Sequence, residues 1–330
     1  MSDKYQALWV TKNENGEFES KISQRQIADL PAGDVLIRVE YSSLNFKDML
    51  CTQGHPAVTQ NFPHQPGIDA AGVVEHSDDA NFSVGDAVIV TGYDLGMNTF
   101  GGLGQYIRVP AKWVISMPEG LDAKTAMSYG TAGFTSALCI DKLIRAGASP
   151  EDGTVAVTGA TGGVGVFAIA LLSKLGFSVA AMTGKPETAD MLRKLGASEV
   201  FPRQDLLDVE GPLQEPRFAH GVDALGGEYL ANLLSSIQYG GSVSCCGLAA
   251  SPALATTVMP FILRDVNLLG VDCVEQPLER KRETWSKLGA QWKLSNIGDM
   301  VEEISLDSVP EYLDRLKSGT AVGRYVVNLN

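Results

Sequence analysis

Apolar positions in the first third of the chain come in short β-branched runs closed by Gly, Pro or Asp: "VLIRVEY" at 35–41, "DAVIVTGY" at 86–93 and "GGLGQYIRVP" at 101–110. That pattern predicts an irregular, mostly β region. Over 122–147 the period changes: "DAKTAMSYGTAGFTSALCIDKLIRAGA" spaces its apolar residues for a helix, broken near Gly130 to Gly133 and stopped by Gly147. From 154 onward strand and helix patterns alternate: "TVAVTG", a helix to Lys174, "SVAAMTG", a helix through "ETADMLRKLG", "SEVFPR", "GVDALGG", a helix through "YLANLLSSI", and "GSVSCCG". Such alternation predicts βαβ units in a doubly wound parallel sheet of the α/β class. After about residue 265 the pattern gives way to "LLGVDCV", a charged helix near 278–290 and a last strand, "GRYVVNL", a tail able to return to the first region. The expected division is a β-rich domain of 1–123 and 265–330 and a nucleotide-binding domain of 124–264. No repeat or low-complexity tract interrupts it.

Composition narrows the class. With 330 residues and 45% hydrophobic content the chain can bury one or two cores. No run approaches the roughly 18 apolar residues a membrane span needs, so a soluble, cytoplasmic protein is expected. Its five cysteines, Cys51, Cys139, Cys245, Cys246 and Cys273, are odd in number and form no CxxC pair, which argues against a disulfide framework and a structural zinc knot. A formal charge of −13 makes nucleic acid and anionic membranes poor partners. An anionic ligand therefore needs local cations.

The densest chemical signal is "TVAVTGATGGVGVFAIALLSKLG" at 154–176. A strand that enters a helix through glycines lets backbone N–H groups approach a pyrophosphate, with the positive helix end behind them. The spacing is GxxGxxG, a variant that gains weight from its place inside a βαβ series. Thr161, Gly162, Gly163 and Val164 are expected along the dinucleotide. An NAD site places an acid about 20 residues past the first glycine. Here the next strand ends in Thr183-Gly184-Lys185, with no acid before Glu187. A hydroxyl and a cation there suit a 2′-phosphate, and Arg203, just after "SEVF", adds a second cation. NADP(H) is the expected cofactor; the other reading of Lys185 is a solvated loop lysine.

The β-rich start followed by "PGIDAAGVV", "GGLGQYIRV", "AMSYGTAGFTSAL" and "VTGATGGVG" resembles the medium-chain dehydrogenase/reductase superfamily, in its zinc-independent quinone oxidoreductase branch. With "YSSLNFKDML", "TTVMPFILRDVNLLGVD" and "GRYVVNL" the whole chain resembles one subgroup, the acrylyl-CoA reductase and quinone oxidoreductase family. The resemblance implies a Rossmann domain plus a GroES-like β-rich catalytic domain. It also implies NADPH-dependent reduction of an activated carbon–carbon double bond, with an acyl-CoA thioester as substrate, and a homodimer, for which "SVSCCGL" offers a sheet edge. The family's cofactor contacts fall on Phe46, residues 161–164, Thr183, Gly184, Lys185, Arg203, Leu248, Ile262, Cys273 and Arg324. Two positions depart from the family: tyrosine is common where Phe46 stands, and serine where Cys273 stands. Phe46 has no hydroxyl to donate, and Cys273 is a weaker donor.

Zinc-dependent members of the superfamily carry ligands at positions that match Asn45 in "NFKD" and Ile68 in "GID", so no metal is expected. His55 and His64 lie nearby in a Pro-containing loop and read as ordinary surface residues. Without a metal, a polar group must meet the thioester oxygen as negative charge builds there. Asn45 is the first candidate, with Asp48 supporting its loop through Lys47; the other reading has Asn45 capping a turn or helix start. Coenzyme A adds phosphates, for which Arg280, Lys281 and Arg282 in "LERKRETW", or Arg264, are candidates, although a charge run on a helix also reads as a solvated face. A quinone or small-enone reductase and a non-catalytic NADPH-binding sensor remain as alternatives.

Overall fold

The computed structural model describes residues 3–209 and 211–330. β1 (Lys4–Lys12) and β2 (Phe18–Gln26) pair as a hairpin, followed by β3 (Val35–Ser43), α1 (Phe46–Thr52), β4 (Asp69–Ser77), β5 (Ala87–Thr91), β6 (Tyr106–Val109) and β7 (Val114–Ser116). A long α2 (Ala123–Arg145) leads to β8 (Thr154–Val157), α3 (Gly163–Lys174), β9 (Ser178–Thr183), α4 (Ala189–Lys194), β10 (Glu199–Pro202), β11 (Phe218–Asp223), α5 (Gly227–Ser235), β12 (Ile237–Cys245), α6 (Met259–Arg264) and β13 (Asn267–Gly270). The chain ends with α7 (Leu278–Gly289), β14 (Val301–Ser305), α8 (Val309–Lys317) and β15 (Arg324–Asn328).

Backbone contacts separate two units. One runs to Thr131 and includes Val274–Gln291 and Met300–Asn330; the other comprises Ala132–Cys273 and Trp292–Asp299. The expected boundary at 265 therefore moves, because β13 still pairs in parallel with β12 and extends the second unit's sheet.

In the first unit a seven-stranded sheet runs β14-β15-β3-β4-β5-β7, with β6 also on β3. β3 shows why the segment is a strand: Val35, Ile37 and Val39 are buried while Leu36, Arg38 and Glu40 alternate toward solvent. The inward set joins Leu8, Leu44, Val88, Leu103, Ile107 and Val327 in one core. β15 lies antiparallel to β3, pairing Val327 with Ser42, and this brings the chain's tail beside residues 42–45. α2 bends at Gly130, whose φ of 50° and ψ of −157° are not helical.

In the second unit six parallel strands run β10-β9-β8-β11-β12-β13. α3 is buried from Gly165 through Leu172, as expected of a helix laid on a sheet and covered from outside. Ala156, Met182, Phe218, Leu233 and Val243 form this unit's core. The "SVSCCGL" segment is not an edge: β12 is flanked by β11 and β13, and the outermost strand on that side is β13.

Candidate active site

In the second unit the glycine turn is closed by Gly162 N–H donating to Gly159 O at 2.9 Å, with Gly159 at φ +59°. Gly165 has to be glycine, since a Cβ there would lie 2.6 Å from Ala160 Cα. Gly162 caps α3, and the nearest atom to a Cβ there would be Gly159 O, 3.4 Å away, so the space above the turn is open. The first N–H groups of α3 face that space without intrahelical acceptors, at the helix's positive end. Thr161 is buried, Gly162 exposed, and Gly163 and Val164 intermediate. Ser136, which sequence reading did not single out, donates to Val164 O at 2.8 Å and steadies the turn from α2.

At the end of β9, Thr183 Oγ1 accepts from Lys185 N–H at 2.9 Å, and Thr188 Oγ1 donates to Lys185 O at 2.6 Å. The Arg203 guanidinium lies against Gly184: a Cβ there would sit 2.5 Å from its Nε. Burial, and then the neighbouring Arg203 charge, lower the Lys185 pKa. Two cations thus crowd together where an NAD site would carry an acid. The open turn and this cation pair fit a dinucleotide with a 2′-phosphate. Leu248 and Ile262 are 60% and 71% exposed, and Cys273 is half-buried after β13.

The first unit's site is built from side chains. Asp69, fully buried at the start of β4, accepts from Ser43 Oγ at 2.7 Å, Asn45 Nδ2 at 2.8 Å, Thr131 N–H at 2.9 Å, Thr131 Oγ1 at 2.6 Å and Arg324 Nη2 at 2.8 Å. Arg324 also donates through Nη1 to Leu44 O at 2.5 Å and Asn45 Oδ1 at 2.8 Å, leaving Nε alone without a partner. Burial lowers the Arg324 pKa and the Asp69 charge opposes that shift. Gly130 makes room for the cluster, since a Cβ there would fall on Arg324 Nη2 and within 2.6 Å of Asp69 Oδ2.

Asn45 stands at the N-cap of α1, and its amide is spent inside this network: Nδ2 donates to Ser43 O at 3.2 Å and to Asp69. With both amide protons engaged, its expected role as donor to a substrate oxyanion gives way to one of holding the start of α1. Asp48 accepts Asn45 N–H at 2.8 Å and Ile68 N–H at 3.0 Å, so it fastens α1 to the approach of β4 directly and not through Lys47. Burial, and then Asp69, raise the Asp48 pKa to about 7. Phe46 follows, 44% exposed.

Other expectations are corrected. His64 is 1% exposed among Phe62 and Phe100, not a surface residue; His55 is exposed. In the charged helix, Arg280 and Arg282 pair with Glu283 and Glu279 of the same helix, as a solvated face does, but Lys281 is fully buried, donates to Thr91 O at 2.7 Å and lies 3.3 Å from the Tyr93 ring centroid. Arg264 holds Ser235 O and Gln214 O and so serves the second unit's packing. The hub itself, Asp69, was missed although it lies in "PGIDAAGVV"; an acid inside an apolar run was its signal.

A nucleotide turn in a parallel sheet, with a separate β-rich unit carrying a buried polar network, defines the medium-chain dehydrogenase/reductase class. The alcohol dehydrogenase GroES-like domain matches residues 31–119, and the zinc-binding dehydrogenase domain matches residues 163–292. Neither Asn45 nor Ile68 carries a zinc-ligating group, and among the described residues no three His, Cys, Asp or Glu side chains come together as a metal set. The chain is 42% identical to acrylyl-CoA reductase AcuI of Ruegeria pomeroyi over 328 residues, 99% of each chain. Among solved structures, Escherichia coli K-12 YhdH with bound NADPH is 43% identical with a TM-score of 0.95, covering 98% of this chain and 100% of that one. Bacillus subtilis YhfP with NAD bound is 42% identical with a TM-score of 0.96, covering 99% and 100%. The chain belongs to the acrylyl-CoA reductase and quinone oxidoreductase family of medium-chain dehydrogenases/reductases. Among the described residues no helix is long and apolar enough to cross a membrane.

Proposed function

We propose that the protein is an NADPH-dependent reductase of the activated double bond of acrylyl-CoA, giving propionyl-CoA. The observation that carries the cofactor choice is the Lys185–Arg203 pair against Gly184, where two cations replace the acid an NAD site needs. NADPH, when bound, supplies a hydride to the β carbon of the substrate, and water supplies the proton to the α carbon. Residues 161–164 bind the pyrophosphate through backbone N–H groups, and Thr183, Lys185 and Arg203 bind the 2′-phosphate. Leu248, Ile262 and Cys273 are further contacts in this reading. Asn45 and Asp48 act as positioning residues that fix the start of α1, and Asp69 keeps Asn45 and Arg324 in place.

Charge distribution favours a second reading, reduction of a quinone or small enone. Arg264 is committed to carbonyls, and Arg280 and Arg282 to their own helix, so these candidates give no ready rim for coenzyme A phosphates. Steady-state NADPH consumption with acrylyl-CoA beside a simple quinone, repeated with NADH, decides. Thioester turnover with NADPH alone supports the first reading, quinone preference supports the second, and NADPH binding without turnover leaves a sensor.

For assembly, we propose a second copy against β13, whose Leu268 is 36% exposed and lies close in sequence to exposed Val258, Ile262 and Leu263. Light scattering is expected to give the mass of two chains, and a single-chain mass at micromolar concentration rejects it.

A further inference from the structure

The strand order of the second unit changes direction between β8 and β11, the place where an open parallel sheet offers a crevice at its carboxyl ends. Two fully buried side chains lie at the carboxyl ends of those two strands. Thr158 follows β8 and precedes Gly159; Asp223 ends β11. Thr158 Oγ1 donates to Asp223 Oδ1 at 2.6 Å, and Gly226 N–H donates to Asp223 Oδ2 at 2.8 Å. The Asp223 carbonyl accepts Cys246 N–H at 2.9 Å, at the root of the segment that carries Leu248.

These bonds join the three loops that leave β8, β11 and β12. The middle loop is tightly fitted: Gly226 and Gly227 lie at φ +68° and +59°, and a Cβ on Gly226 would come within 3.4 Å of Leu248 Cα. Thr158 and Gly226 each bring a donor to one carboxylate oxygen; an amide in place of the carboxylate would lose the charge and require the Thr158 hydroxyl to turn and accept. Burial raises the Asp223 pKa, and the Thr158 hydroxyl and Gly226 N–H oppose that shift by stabilising the anion.

We propose that Asp223, through Thr158, is a positioning residue for the cofactor: it holds the glycine turn in register with the Leu248 loop and thereby sets NADPH affinity. The inference rests on the NADPH reading of this crevice. Neither side chain needs to touch the cofactor, since each acts through the backbone it fastens.

The test uses the full chain and measures NADPH binding directly by cofactor fluorescence, with no acceptor present, alongside urea unfolding. Thr158→Val is expected to weaken NADPH binding by roughly tenfold, the loss of one charge-assisted buried hydrogen bond, and Thr158→Ser to restore it. Asp223→Asn is expected to weaken binding at least as much. Thr158→Val binding within twofold of native, or a lowered unfolding midpoint with unchanged binding, overturns the proposal. If Asp223→Asn does not fold, the Thr158 pair still decides. Failure of the native protein to bind NADPH would reject the cofactor reading itself, whereas binding without turnover would leave this inference standing and reject only the substrate.

Discussion

In the second unit the proposed site is made of backbone: glycines at 159, 162 and 165 carry no side chain beside the N–H groups at the start of α3. In the first unit the chain offers side chains, and Asp69 gathers Ser43, Asn45, Thr131 and Arg324 from three separate segments. A backbone site stays open and is stabilised by the sheet beneath it, so altering its rim changes binding more than folding. A buried charge network is part of the core, and one misplaced atom leaves a charge without its partners. A glycine substitution in each unit separates the two cases. Gly130→Ala forces a Cβ into the Arg324–Asp69 pair at a left-handed φ and is expected to lower unfolding free energy by more than about 3 kcal/mol in urea. Gly162→Ala meets only Gly159 O at 3.4 Å and is expected to change stability by less than about 1 kcal/mol while weakening NADPH binding about tenfold or more. Equal stability losses in the two variants would break the comparison.

The same contrast governs what could be read from the sequence. Glycine spacing, the strand before it and the missing acid after β9 are local facts, so the turn and the Thr183–Lys185 corner are legible in one stretch of chain. Asp69 and Arg324 are separated by 255 residues, and the contact exists only because β15 returns to β3. Asn45 shows the limit most clearly. Its position relative to zinc-binding relatives suggested a donor, but whether its amide protons are available depends on Ser43 and Asp69, which periodicity does not place. Within the charged helix, polarity alone did not separate buried Lys281 from half-buried Arg280 and exposed Arg282. The β13 boundary failed for a similar reason: four residues ending in glycine carry too little pattern to assign to a sheet.

The cofactor corner gives the next largest effect. Lys185→Ala with Arg203→Ala removes both cations beside Gly184 and is expected to raise the KM for NADPH by roughly ten- to a hundredfold while that for NADH stays within a few-fold. Steady-state kinetics with both cofactors check this, and parallel losses for NADH would show that the pair holds the fold and not the 2′-phosphate.

Asp48 tests the network through pH. Its carboxyl is raised from an ordinary 3.8 to about 7, chiefly by burial, so in the folded protein it keeps a proton that the unfolded chain gives up. Stability from this source is therefore complete below the ordinary carboxylate range and is lost as pH rises through 7. Asp48→Asn removes the titration. The unfolding free energy of the native protein minus that of the variant is expected to fall between about pH 4 and about pH 7 and to level off above that. A difference that stays flat over this range would mean that Asp48 is ionised throughout and that the network tolerates a second buried anion beside Asp69.

The smallest effect comes from the charged helix, where the two ways of building a site meet in three consecutive residues. Arg280, half-buried, and Arg282, exposed, pair with glutamates three residues away on the same helix, an arrangement that contributes only a few tenths of a kcal/mol and is screened by salt. Arg280→Ala and Arg282→Ala are each expected to shift unfolding free energy by less than about 0.5 kcal/mol and to leave the KM for acrylyl-CoA within twofold. Lys281, between them, has its ammonium enclosed by Thr91 O and the Tyr93 ring, so Lys281→Ala would remove a buried group and open a cavity. A several-fold rise in acyl-CoA KM in the arginine variants, with stability unchanged, would return the run to the substrate site and assign coenzyme A phosphates to a surface that the ion pairs otherwise occupy.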